Sequence, residues 1–324
     1  MKLPFDRARR RWLGTLGAGA LAAAAGIGGC TPEPPLRVSY HLWAGYEPLR
    51  LYVDAAPGEA AGLQLVEVAD AEAQLQLLRL GRVEAAMLTL DEVLLGRAQG
   101  LDLTVVCILD VSAGADHVMA RGPCRDASGW RGARVAVERL GPGRVLLQAW
   151  CEHLGLDPRH LQRIPYSPPR QLEPWARHEF DLAVTYQPYV ERLRRLGAVS
   201  CFDSAALPPV VLDVLAVRSA VLHTHGKAIE RLVRAHFLGL EWMRDNAIDA
   251  RYRLTQRFGL APEEAFTPFV GLVFPPLTQQ RDWLERMLAD SVATIAGLLQ
   301  RAGLLHAAAP PVPASARFLP HPSP

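Results

Sequence analysis

The feature that most limits how this 324-residue chain can fold is a regular alternation, from about residue 36 to residue 300, of short β-branched or leucine-rich runs with helix-forming segments. Such alternation predicts an α/β fold with largely parallel sheets. A first series reads as strands at 36–43, 63–68, 85–88 and 101–109, separated by helices at 48–55, 71–80 and 91–99. A second series starts after an irregular stretch at 121–132, with strands at 133–137, 161–164 and 182–184 and helices at 144–154, 168–177 and 188–196. One more extended run, 210–217, is followed only by helical patterns, the last of them at 278–302.

Two extended crossings, near 116–121 and 211–217, bracket the second series. They predict two lobes on a two-stranded hinge, with residues 36–117 and 213–306 in the first lobe and 118–212 in the second. Ligands of open α/β sheets bind beyond the carboxyl ends of the strands. Two facing lobes would therefore surround one cleft, and the residues just after strands become the candidates for binding.

The ends of the chain carry different information. Lys2, Arg7, Arg9, Arg10 and Arg11 precede an apolar run from Trp12 to Ile27, the layout of an export signal. The run is too short and glycine-rich for a stable membrane span. Leu21 to Cys30 resembles a lipobox, so residues 1–29 read as a lipoprotein signal peptide, Cys30 as the acylated residue and 30–35 as a proline-rich tether. Arg9-Arg10-Arg11-Trp12-Leu13 also resembles a twin-arginine signal. The localisation that follows is the periplasmic side of a bacterial envelope, with a membrane reached through lipid. Residues 307–324, with six prolines, read as a disordered tail.

Removing residues 1–29 takes away five positive charges and Asp6, so the formal charge falls from +2 to about −2. That balance implies no nucleic-acid partner. Cys107, Cys124, Cys151 and Cys201 remain. An even number in an exported chain permits two disulfides, but their apolar surroundings favour buried free thiols acting as small hydrophobes.

The candidate binding residues fall at strand ends. Trp43 and Tyr46 offer rigid apolar walls with a polar tip. Thr89 and Asp91 flank a helix start, where free N–H groups could meet an anion or simply be capped. Ser112 and Asp116 lie in a small-residue loop at the first crossing. Glu138 precedes Gly141-Pro142-Gly143 and a helix, which would set its carboxylate beside an amide nest. Thr185 and Tyr186 end a strand, and Asp213 lies on the second crossing. Asp116, Glu138 and Asp213 together make an acidic set, which is costly to bury without a cation. His41 is a weaker candidate for the cleft. His223 and His225 lack the neighbours of a metal site, and no P-loop, dinucleotide fingerprint or nucleophile elbow appears in a suitable context. No metal, cofactor or catalytic residue is expected.

In order and spacing, Trp43-Ala-Gly-Tyr46, Gly81-Arg-Val-Glu-Ala-Ala86 leading to Thr89-Leu-Asp91, Ser112-Ala-Gly-Ala-Asp116, Val135-Ala-Val-Glu138 and Asp181-Leu-Ala-Val-Thr185-Tyr186-Gln187-Pro188 form a recognisable set. The chain resembles the ABC-transporter substrate-binding proteins of the nitrate, sulfonate, taurine and thiamine-precursor group. The resemblance implies a type II periplasmic-binding fold with a C-terminal helical segment. It also implies a monomeric solute receptor whose partners are a small-molecule solute, an ABC permease and an ATPase subunit. One departure matters: this group often has an acidic tripeptide such as Trp-Glu-Pro where this chain has Tyr186-Gln187-Pro188, so the solute does not carry over. A sulfonate, a nitrate-like ion and an amine-bearing molecule all stay open. The alternatives are a ligand-sensing lipoprotein that signals to a partner, and a pyrimidine-synthase-like enzyme on the same fold. The latter would need an active-site lysine, and Lys227 is the only lysine beyond residue 29.

Overall fold

The computed structural model describes residues 34–320. The expected signal peptide, lipidated Cys30 and most of the tether lie outside the described residues. Eleven strands among the described residues form two mixed sheets. The first has the order β11-β4-β10-β3-β1-β2. It comprises β1 (Leu36–Tyr40), β2 (Leu63–Glu67), β3 (Ala85–Thr89), β4 (Leu103–Ser112), β10 (Leu212–Arg218) and β11 (Leu272–Val273). The second has the order β7-β6-β8-β5-β9. Its strands are β5 (Asp116–Ala120), β6 (Arg134–Ala136), β7 (Gln162–Ile164), β8 (Leu182–Tyr186) and β9 (Val199–Asp203).

Why these runs become strands is visible in burial. β3 and β4 are buried along their whole length, as expected of strands covered on both faces by helices, where apolar runs replace alternation. The helices Ala71–Arg79 and Leu90–Ala98 fill one side, and the 20-residue helix Gly226–Asp245, through Ile229, Leu232 and Val233, covers the other together with the helix Glu47–Ala55. Gly239 is the point of closest approach: a Cβ there would lie 2.0 Å from the Pro48 carbonyl oxygen.

The sheets are less parallel than the alternation predicts. β1 pairs in parallel with β2 and β3, and β6 with β7 and β8, but β10 runs antiparallel to β3 and β4, and β5 antiparallel to β8 and β9. The antiparallel members are the strands that follow a change of sheet. Residues 113–115 and 204–211 carry the chain between sheets, so the extended runs expected as crossings are themselves strands β5 and β10.

The proline-rich tail is a correction. Through residue 320 it is packed against the first sheet: Ala314 forms a parallel bridge with Val105, Val105 N–H donates to Pro313 O at 2.9 Å, and Ser315 N–H donates to Val105 O at 2.9 Å. Prolines lack donors but keep carbonyls, and the tail uses that asymmetry, with Pro311 O accepting from Arg97. Phe318 then inserts beside the long helix with 1 % exposure. Phe318→Leu is expected to cost about 1–2 kcal/mol, read as a lower denaturation midpoint; an unchanged midpoint would mean that the tail adds nothing to stability.

The cysteines also divide. Cys107 and Cys151 are free and buried, as expected, whereas Cys124 and Cys201 are joined by a disulfide. That pair ties the loop after β5 to the edge strand β9, which the sequence reading missed altogether.

Candidate ligand-binding site

The strand ends of both sheets meet across one cleft. His41, Trp43, Asp70, Thr89, Glu92 and Asp213 come from the first sheet and its helices. Asp116, Glu138, Pro142 and Tyr186 face them from the second. The cleft, open to solvent on one side, has a volume of about 350 Å³.

Of the residues singled out in the sequence, Trp43, Thr89, Asp116, Glu138, Tyr186, Asp213 and the weaker candidate His41 line this cleft. The others stand behind it or position it. Tyr46 is buried, and its hydroxyl donates to Asp213 Oδ1. Asp91 is buried in the first turn of the helix Leu90–Ala98. Ser112 Oγ lies 2.8 Å from Ser204 Oγ, which in turn accepts from Gly114 N at 2.7 Å and Asp116 N at 3.4 Å. These bonds pin the two crossing segments to each other. Thr185 is buried in β8 opposite His117. Gly141 supplies a φ of 105° just before the helix Pro142–Leu154, a backbone shape that side-chain-bearing residues avoid.

Asp70, Glu92 and Asp110 were not among the candidates. Asp110 is fully buried on β4 in register with Asp213, which also faces Thr89. Trp43 Nε1 donates to Asp110 Oδ2 at 3.3 Å, and only a glycine at position 45 leaves room, since a Cβ there would sit 1.8 Å from that oxygen. The glycine in Trp43-Ala-Gly-Tyr46 was the available signal for this contact.

Three helices begin at the cleft, and each beginning is closed by a carboxylate of this chain. Asp70 Oδ1 accepts from Ala73 N–H at 3.1 Å, Glu92 Oε2 from Thr89 N–H at 2.9 Å, and Glu138 Oε1 from Gly143 N–H at 3.0 Å. The amide nest expected to offer Glu138 a neighbouring anion site is thus occupied by Glu138 itself. The cleft lining contains no lysine or arginine. Its one imidazole, His41, has Nδ1 2.7 Å from Gln74 Oε1, and burial lowers its pKa, which keeps it neutral.

The carboxyls respond to enclosure. Burial pushes Asp116 up to about 7 and Glu138 up to about 8, in each case with neighbouring carboxylates adding to the effect. Glu92, Asp110 and Asp213 shift upward too, again chiefly through loss of water. The aromatic wall is built at right angles, with Trp43 and Tyr186 rings 5.3 Å apart at 89°.

This geometry can be set beside known proteins. Residues 59–250, more than half of the chain, match the model of the NMT1/THI5-like family. The chain belongs to the NMT1/THI5-like family. No curated protein matches it. Among solved structures, the alkanesulfonate-binding protein SsuA from Xanthomonas axonopodis pv. citri, bound to MOPS, superposes with a TM-score of 0.72 at 18 % identity, covering 86 % of this chain and 97 % of that one. A ligand-binding component of an ABC-type import system from Staphylococcus aureus gives 0.72 at 14 %, covering 88 % and 98 %. The nitrate-binding protein NrtA from Synechocystis PCC 6803 gives 0.59 at 13 %, covering 72 % and 69 %. At these identities the likeness establishes the periplasmic-binding fold for this NMT1/THI5-like chain.

Proposed function

We propose that the protein is the solute-binding receptor of an ABC importer, anchored by lipid at Cys30 on the periplasmic side of the envelope. It captures a small polar molecule between its two sheets and delivers it to a permease. The observation that carries this reading is a cleft lined from both sheets at the point where only two chain segments cross between them. A solute that touches both faces stabilises the closed arrangement over the open one by its differential affinity. Lys227, the one lysine available to an enzyme of the pyridoxal type, is exposed on the helix Gly226–Asp245 and outside the cleft lining, which favours a receptor.

The test begins with protein purified natively from its own host. Denaturation is expected to release about one small molecule per chain, and returning that molecule to refolded protein should change the fluorescence of Trp43 saturably. Release of nothing, together with no response to a small-molecule extract of the host, would defeat the receptor reading.

A further inference from the structure

This inference rests on the receptor reading and names the class of its solute. The cleft lining holds carboxylates from both sheets and no basic residue other than His41, which is neutral and hydrogen-bonded to Gln74, while Arg139 and Arg170 line an adjoining cavity that shares Asp70 and Glu138. At the starts of helices, usually the natural seats for an anion, one amide each is already taken by Asp70, Glu92 or Glu138. A sulfonate or nitrate brought into this space would find carboxyls on both walls and no basic side chain to balance its charge.

A second observation points to what the cleft does receive. Asp116 is 2 % exposed, lines the cleft from the second sheet, and its Oδ2 has no hydrogen-bond partner. A buried carboxylate oxygen left without a donor is expensive, and a ligand that supplies an N–H satisfies it. Among the described residues no group of three or more His, Cys, Asp or Glu side chains converges closely enough to hold a metal ion. The acids are instead spread over opposite walls, a spacing suited to an organic head whose donors point in several directions. Trp43 and Tyr186 complete the enclosure with π faces that attract positive charge.

We propose that the solute is an organic cation bearing N–H donors, a protonated amine, a guanidinium or an amidinium, and that the cleft rejects sulfonates and nitrate.

The experiment is a thermal-shift and calorimetric panel on the full chain in detergent, freed of carried solute by unfolding and refolding. Its probes are butylamine, 1,4-diaminobutane, benzamidine and guanidinium, against butanesulfonate and nitrate, with tetramethylammonium as a cation that lacks N–H. Each is used up to about 10 mM, where even a millimolar fragment site is mostly filled. The expected result is saturable stabilisation by at least one N–H cation, none by the anions, and little by tetramethylammonium. Glu138→Gln, whose amide oxygen can still accept from Gly143 N–H, should fold and weaken that cation about tenfold. Binding of butanesulfonate or nitrate would overturn the cation assignment and leave the receptor reading intact. Tetramethylammonium equal to guanidinium would overturn the requirement for N–H. No response to any N–H cation overturns the proposal, whatever molecule the native protein carries.

Discussion

Lowering the pH of the ligand-free protein from about 8.5 to 6.5 is expected to raise its melting temperature by roughly 5–10 °C. Most proteins change little or fall over such a range, so the sign is distinctive. It follows from carboxyls whose folded pKa lies above the unfolded value near 4. A group of that kind is protonated when folded and ionised when unfolded throughout the interval, so its contribution is full at low pH and is lost as the pH rises through the folded pKa. Glu138 near 8 and Asp116 near 7 set the window, and Glu92, Asp110 and Asp213 act in the same direction. Each fully retained proton adds about 1.4 kcal/mol per pH unit. Coupling among neighbours and entry of water leave a combined effect of about 3–5 kcal/mol. Below about 6.5 the buried imidazoles of His41, His117 and His236, all shifted downward by burial, begin to oppose the gain. Calorimetry across the range checks the outcome, and a melting temperature that falls steadily on acidification from 8.5 would contradict the enclosure of these acids. A saturating cation should remove the trend, because it holds the same carboxyls ionised.

Asp116→Asn should separate binding from stability more sharply than any other single change. The side chain is buried, one oxygen has no partner, and its ionisation is opposed by loss of water. Asparagine keeps the shape and cannot ionise, so the ligand-free variant at pH 8 is expected to be more stable than the parent by about 1 kcal/mol. Cation binding should fall about 100-fold, the size of a charge-assisted hydrogen bond together with its share of charge balance. Differential scanning calorimetry and titration calorimetry on the same preparation read both effects. Loss of stability together with unchanged affinity would assign Asp116 to the framework rather than to the ligand.

Much of this was legible in residue order. Strand-then-helix alternation located every strand of the two sheets except β9 and β11, and reading the residues just after strands reached six members of the cleft wall. What escaped had physical reasons. β9 is a five-residue edge strand with little buried surface, so its apolar pattern is weak, and without it the pairing of Cys201 with Cys124 had no basis. Strand direction is not written in an apolar run, which is why antiparallel β10 and β5 were unforeseen. Glu92 looked like an ordinary acid in a first helical turn, and whether a helix start faces solvent or a cleft depends on tertiary placement. The tail misled because proline content was read as disorder, although a donor-free segment can still lend its carbonyls to a neighbouring strand.

The serine contact at the crossings has a mechanical consequence. Because Ser204 bonds the 113–115 segment and Ser112 N–H donates to Val211 O at 2.9 Å, the two connecting segments are joined to each other at both ends of 204–211 instead of behaving as two independent straps. Joined in that way, the crossings favour rotation of one sheet against the other over independent twist or slide. Under the receptor reading proposed above, a partner would then compare two well-defined outlines, one for each position of the sheets.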